Sequence, residues 1–246
     1  MELTEQLNFD HEDRRDIYDY VEAHGEVRAD QARRALNLDP EAFGHHVTIL
    51  RRDGYIRRDG NKLRVAYQEE DVEEHAAADV TFTIRAAQQR DLSGLIGVIR
   101  GVAEEGTYIE AETVADLLDH EEVILRHNEV RSRMVFVACV DDEVVGWVHL
   151  DLPEMEKLAH TAVLTVGLLP TYRGHGIGAA LLDRGVRWAC DHDFEKLYNS
   201  VPATNEAAID FLEAHGWETE AVREDHYRIE DEYVDEVMMA TFLDCP

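Results

Sequence analysis

Lysine is nearly absent from this chain: Lys62, Lys157 and Lys196 are the only three among 24 basic residues, against 53 acidic ones. No apolar run approaches the roughly 20 residues that a membrane-spanning helix needs. The start, Met1-Glu2-Leu3-Thr4-Glu5, has neither the basic residues nor the apolar stretch of a secretory signal. These absences predict a soluble, cytoplasmic protein with no membrane partner. Cysteine is equally sparse. Cys139, Cys190 and Cys245 are too few and too widely spaced for a zinc site or a disulfide framework. Cys139 in a strand-like run and Cys190 in a helix-like one read as core packing. Among 13 histidines only His45 and His46 are adjacent, and neighbours on a helix point about 100° apart. No metal site is expected.

What is abundant is acid. The formal net charge is −29, with carboxylates spread along the whole chain instead of forming a tail. Such a lysine-poor, acidic surface resembles proteins of a halophile-type proteome, in which molar salt shortens the Debye length to about 3 Å and screens self-repulsion. The other reading is a surface for basic partners. A hydrophobic fraction of 45% supplies ordinary buried cores and excludes global disorder. A length of 246 residues favours two domains over one.

The first 67 residues read as helices followed by a hairpin. Helices are expected from Asp10 to about Ala23, over Ala29–Leu36, and after Asp39-Pro40, where Phe43, Val47 and Leu50 recur at i, i+4 and i+7. Tyr55–Arg58 and Lys62–Val65 flank Asp59-Gly60-Asn61, a strong hairpin signal. This pattern resembles a winged helix-turn-helix domain. Residues 68–79, charged and then alanine-rich, read as a linker, either a helical spacer or a solvated tether. From residue 80 to 246 strands and helices alternate. The expected elements are a strand over Val80–Arg85, helices over Gln88–Glu104 and Thr113–Asn128, and a hairpin of Met134–Val140 with Val144–Leu150. A strand over Thr161–Leu168, a helix over Gly176–His192, a strand over Lys196–Val201 and a helix over Asn205–His215 follow. Glu218–Val222 and Val234–Leu243 close the pattern.

The chemistry is concentrated where the apolar strand ending at Leu168 passes through Pro170 into Arg173-Gly174-His175-Gly176-Ile177-Gly178 and then a helical pattern. Glycine lets the backbone approach a ligand closely, and the unpaired amides opening a helix, with its dipole, make an anion site. Arg173 adds a forked positive charge suited to phosphate. A dinucleotide fold would carry its glycines on an early strand, with an acid about 20 residues later; here they come late, after a hairpin.

The run 173–178 resembles the Arg/Gln-x-x-Gly-x-Gly/Ala signature of the GNAT superfamily of N-acetyltransferases. Val166, Leu168 and Pro170 fall where that family's motif-bearing strand and turn lie. Asn205-Glu206-Ala207-Ala208-Ile209, followed by Gly216-Trp217, resembles its Asn-x-x-Ala-Ile…Gly-Phe motif with tryptophan for phenylalanine. The resemblance covers about residues 80–246. It implies an α+β fold with a splayed, mostly antiparallel mixed sheet and flanking helices, and acetyl-CoA as co-substrate. By the same resemblance, backbone amides at Arg173, Gly174, Gly176, Ile177 and Gly178 hold the diphosphate, His175 belongs to the cofactor-binding run, and Leu168 bonds the pantetheine arm. Asn205 lines the opposite side, and an amide near Val166 faces the thioester carbonyl. One departure stands out: the tyrosine that many relatives use to protonate the leaving thiolate is Leu212 here. Solvent, Tyr198 or Tyr227 are the remaining donors.

The implied partner is an amine acceptor, which must lose a proton before it attacks. Neutralising an α-amine at pH 7 costs about 1 kcal/mol, and a lysine side chain about 4.6 kcal/mol. Candidate bases are Glu105, Glu110 and Glu112, in the loop that resembles the family's acceptor loop, and His160. From Arg28 to Tyr67 nine Lys/Arg face five acids, a net of +4 that leaves −33 for the rest. Arg51 and Arg52 at the end of the third helix and Arg57 and Arg58 in the hairpin are candidate DNA contacts. The alternative is that they pair with the acidic domain. A homodimer is a further possible partner state. Two functions remain open: an acetyltransferase with a regulatory or docking front domain, and a DNA-binding regulator whose second domain only senses a ligand.

Overall fold

A computed structural model describes residues 11–52, 55–66, 72–77, 80–104, 109–121, 124, 126–127, 132–153, 155–229 and 231–245. The N-terminal body begins with α1 (Glu12–His24), whose first turn is capped by the His11 imidazole accepting from the Asp13 amide at 3.1 Å. The helix stops at Gly25, where φ is +70°. A short strand β1 (Glu26–Arg28) leads into α2 (Ala29–Ala35). The next helix, α3 (Pro40–Arg52), is capped by Asp39 Oδ1, which accepts from the amides of Glu41 (2.8 Å) and Ala42 (3.3 Å). Proline at its first position forfeits no hydrogen bond there. Phe43, Val47 and Leu50 then pack with Ile17, Tyr18 and Val21 of α1. Ile56 from β2 (Ile56–Asp59) and Leu63 from β3 (Lys62–Val65) close this core, and the three strands pair in the order β1-β3-β2. On the sheet surface Lys62 pairs with Glu26.

The second body is built on one large sheet. Its strands are β4 (Glu73–Ala77), β5 (Val80–Ala86), β6 (Arg126–His127), β7 (Ser132–Val140), β8 (Glu143–Leu152), β9 (Thr161–Leu168), β10 (Lys196–Pro202), β11 (Glu218–Ile229) and β12 (Glu232–Phe242). They run in the order β11-β12-β10-β9-β8-β7-β5-β4, with β6 against β7, and every pairing is antiparallel except β9 with β10. One face carries α6 (Ile177–Asp191). Its Gly185 sits so near Val148 and Leu164 that a methyl there would fall 2.9 and 3.0 Å from their side chains. The other face is covered by α4 (Leu92–Ala103) and α5 (Ile109–Glu121), whose Leu95, Ile99, Val102 and Leu118 pack on Val135, Val137 and Trp147. A last helix, α7 (Glu206–Ala214), connects β10 to the β11–β12 hairpin. No described helix is long and apolar enough to cross a membrane.

Several expectations are corrected. Residues 73–77, read as part of a linker, are an edge strand of the large sheet. Their alternation is what makes them one. Glu73 reaches Arg187 (2.8 Å) and Arg184 (3.2 Å) on α6, while His75 stacks on Phe82 at 5.0 Å. The helix expected from Gln88 starts as a 3-10 turn, because Asp91 takes the Gln88 amide (2.7 Å) and α4 begins only at Leu92. The helix expected over Thr113–Asn128 is α5, four residues earlier; Ala111, Val114, Ala115 and Leu118 form its buried stripe. Cys190 is not simple core packing. It is disulfide-bonded to Cys245 and ties the end of α6 to the C-terminal tail. Cys139 is free and buried.

Candidate active site

The parallel partners β9 and β10 are in register only at Thr161–Val163 against Lys196–Tyr198. Beyond this point β9 continues along β8 to Leu168, while β10 continues along β12 to Pro202. The sheet therefore splits. The Leu169 amide donates to Val145 of β8 at 3.0 Å. Since successive backbone groups of a strand point to opposite sides, those of Gly167 and Thr165 also face β8. The backbone groups of Val166 and Leu168 then face the split.

The glycine run closes the wide end of this split. A 3-10 turn at Pro170–Tyr172 lifts the chain off β9, and Gly174 and Gly176 follow with φ of +80° and +77°. Side chains rarely adopt that region, and a Cβ at either position would meet open space. Glycine is therefore required by the backbone path, and nothing fills the room above it. The first helical bond of α6 runs from the Ala180 amide to the Gly176 carbonyl at 3.1 Å. The amides of Ile177, Gly178 and Ala179 thus precede any helical acceptor and point out of the helix end. Arg173 does not act as its backbone was expected to: its amide donates within the turn to Pro170 at 3.2 Å. Its Nε donates to the Leu168 carbonyl at 3.2 Å, which ties the guanidinium to the end of β9.

The resulting cavity is about 400 Å³. Val166 and Leu168 form its β9 wall together with Thr165 and Gly167, and Asn199–Pro202 form its β10 wall. Arg173, Gly174, Gly176 and Gly178 line one end, and Asn205, Phe211 and Leu212 another. Of the expected cofactor contacts, Ile177 contributes only backbone, since its side chain is fully buried in the core. His175 turns its Nδ1 to the Tyr172 carbonyl, 3.3 Å away, and is not among the cavity residues. Asn205 lines the cavity while its Oδ1 caps α7 by accepting from the Ala208 amide at 3.2 Å.

The catalytic candidates are not assembled in this way. Glu105 lies outside the described residues. Glu110 lies on α5 between Ile109 and Ala111, two residues that do line the cavity; its side chain lies outside the described part. Glu112 is exposed on the same helix. His160 is misplaced as a base: it precedes β9 at the end remote from the glycine run, exposed, and its carbonyl accepts from the amides of Glu195 (2.8 Å) and Lys196 (3.2 Å). Tyr198 sits opposite Val163 at the closed end of the split and packs under the Lys196 ammonium, 4.7 Å from its ring centre. Tyr227 is turned to Glu236 at 3.3 Å. Leu212, at the position where a tyrosine was sought, is buried against the cavity. The polar residues that the sequence reading missed are Thr165, Asn199 and Ser200, which alternation along the two strands would have pointed to once the split was known. His149 is buried directly across the ladder from Thr165 but is not among the residues that line the cavity.

Arg51 and Arg52 project at the exposed end of α3. Arg57 and Arg58 lie on the neighbouring β2, where Arg58 Nε donates to the Gly60 carbonyl at 2.9 Å.

The model of the Acetyltransferase (GNAT) family matches residues 103–217. N-alpha-acetyltransferase 50 of Danio rerio is 30% identical over 94 residues, 37% of this chain and 55% of that protein. The L-amino acid N-acetyltransferase AaaT of Escherichia coli K12 is 26% identical over 106 residues, 42% of this chain and 65% of that protein. The matched segments thus span less than two thirds of either relative. Among solved structures, a putative acetyltransferase from Salmonella typhimurium with its cofactor acetyl-CoA superimposes with a TM-score of 0.54 at 18% identity, over 66% of this chain and 94% of that one. The body built on the large sheet therefore has the fold of the GNAT acetyltransferases, and residues 103–217 within it match that family.

Proposed function

We propose that the chain is an N-acetyltransferase that moves the acetyl group of acetyl-CoA to a primary amine by direct attack. The observation that carries this is the outward-pointing amides of Ile177, Gly178 and Ala179, beside two left-handed glycines, at the open end of a split sheet. That end suits a diphosphate, and the mostly apolar cavity behind it suits a pantetheine arm. The bound co-substrate supplies the activated acetyl thioester. The backbone groups of Val166 and Leu168 then hold the arm, and the Val166 amide donates to the carbonyl where negative charge develops. The acceptor enters from the side of α5, where Ile109 and Ala111 border the cavity. Of the two relatives above, one is named as an N-alpha-acetyltransferase and the other as an L-amino acid N-acetyltransferase. An α-amine also needs only about 1 kcal/mol to lose its proton at pH 7, so α-amines of amino acids and peptides stand first, ahead of other small amines and lysine side chains. The N-terminal body, with three helices and a β1-β3-β2 sheet, we read as a winged helix serving regulation or docking, with DNA approached through Arg51, Arg52, Arg57 and Arg58.

A second reading draws on one feature: Leu212 offers no proton, and among the described residues lining the cavity Arg173 is the only ionisable group. In that reading the domain senses acetyl-CoA and the front body regulates transcription. Thiol release from acetyl-CoA with a panel of amines, with products identified by mass, separates the two. Turnover supports the enzyme. Tight binding of acetyl-CoA without turnover on any amine overturns it in favour of the sensor.

A further inference from the structure

A second cluster lies in the N-terminal body and is independent of the acetyl-transfer reading. One ligand-type atom from each of His11, Asp13 and His46 lies within 4.8 Å of the other two. His46 Nε2 is 3.4 Å from Asp13 Oδ2, His11 Nδ1 is 3.7 Å from the same oxygen, and the two imidazole rings are 4.5 Å apart. His46 is only 6% exposed and turns its Nε2 to the Asp13 carboxylate. Phe43, Val47 and Leu50, the neighbouring buried positions of α3, are all apolar, so packing alone does not account for an imidazole at 46.

We propose that His11, Asp13 and His46 form a binding site for a divalent transition metal ion of zinc-like chemistry, which clips the start of α1 to the middle of α3. An ion with bonds of 2.0–2.1 Å in tetrahedral geometry separates its ligand atoms by roughly 3.3 Å, so the Asp13–His46 edge is already close to closed; at His11 the ion takes over the Nδ1 lone pair that otherwise accepts from the Asp13 amide. Two imidazoles and one carboxylate suit zinc and its neighbours; magnesium and calcium demand more oxygen donors. Side-chain exposures of 50% at His11 and 34% at Asp13 leave a fourth position for water. The amide end of α1 opposes a cation, and the carboxylates of Glu12 and Asp13 in its first turn offset that field. An ion held this way binds the folded body and not the unfolded chain, so it stabilises the packing of α3, the helix that carries Arg51 and Arg52.

The test uses the full chain without a histidine tag, stripped of metal. Zinc is titrated by calorimetry, and cobalt is followed through its visible ligand-field bands. One equivalent of zinc is expected, with tetrahedral-type cobalt bands and a raised melting temperature. His11→Gln, Asp13→Asn and His46→Gln should each weaken zinc binding by at least about tenfold, the lower range for loss of even a ligand's supporting partner. His11 is half-exposed, so its substitution separates a lost ligand from a collapsed core, with the far-ultraviolet dichroism as control. Absence of zinc binding by the parent chain overturns the proposal. So does wild-type affinity in both His11→Gln and Asp13→Asn, which would assign the binding to other histidines.

Discussion

The indole of Trp147 occupies the space where a side chain at Gly167 would stand: a Cβ built on Gly167 overlaps the ring. Trp147 is fully buried between β8 and the α4–α5 layer. Gly167→Ala is therefore expected to destabilise the protein by about 1–3 kcal/mol, the range for overpacking a well-filled core. Because Gly167 also lines the cavity, acetyl-CoA affinity should fall in parallel. Thermal melts and calorimetry on the same sample check both. A substitution that leaves stability unchanged would contradict the tight approach of β9 to the ring.

On the proposed function, Gly176 and Arg173 probe the phosphate end separately. Gly176→Ala places a side chain at φ +77°, a strain of about 1–2 kcal/mol. It should weaken acetyl-CoA binding at least tenfold with the fold retained. Arg173→Ala removes a charge-assisted contact worth about 1.5–3 kcal/mol, predicting a KM for acetyl-CoA raised about 10- to 100-fold. Arg173→Lys should recover only part of it, because the fork that reaches Leu168 is lost.

Asp91 and Arg85 form a two-pronged pair at 2.6 and 2.9 Å, both largely buried. Burial pushes the Asp91 carboxyl up, but the hydrogen bonds from Arg85 and from the Gln88 amide outweigh it, and its pKa lies below the ordinary value. A carboxyl depressed on folding contributes stability above its unfolded pKa, and that contribution is lost as pH falls through the folded value. Asp91→Asn should cost about 3–5 kcal/mol near neutrality, since Arg85 is left buried and unmatched. The gap between parent and variant should hold down to about pH 4 and then shrink with further acid. Denaturant melts across that pH range measure it, and a gap independent of pH would remove Asp91's charge from the explanation.

The Cys190–Cys245 bond closes a loop with a sequence separation of 55 residues. Chain-entropy reasoning gives such a cross-link about 4 kcal/mol at most. Cys245→Ser, or reduction, should lower stability by up to that amount. Acetyl-CoA binding should be untouched, because the bond joins the end of α6 opposite its ligand-facing start. Intact mass with and without reductant, followed by melts, decides it.

How much of this was legible depended on whether the signal was local. Pro170 and the alternating glycines at 174, 176 and 178 announced the β9–turn–α6 unit, because positive φ and an unpaired helix start leave their mark on consecutive residues. The third helix was equally plain from Asp39-Pro40 and its Phe43, Val47, Leu50 stripe. β4 was hidden because its inward partners are ionic: Glu73 finds Arg184 and Arg187 over a hundred residues away, and no hydrophobic alternation signals that. β1 was hidden by length, with only Val27 buried. His160 was sought at the site because it enters the central strand, and Tyr198 as a proton donor within reach of the thiolate, but a strand rises about 3.3 Å per residue. Position along β9 and β10 puts both at the closed end. His11 and His46, 35 residues apart, meet only through the packing of α1 on α3.

The pairing of the few lysines bears on self-modification. Lys62 is engaged by Glu26. Lys196 is held by Glu220 at 2.5 Å, a hydrogen bond that raises its pKa. Of the three side-chain amines, Lys157 alone is both exposed and outside any ion pair among the described residues. On the proposed function, the chain therefore offers a neighbouring copy few side-chain amines as acetyl acceptors. Autoacetylation, if assayed by peptide mapping, should be confined to Lys157 and a chain-terminal amine.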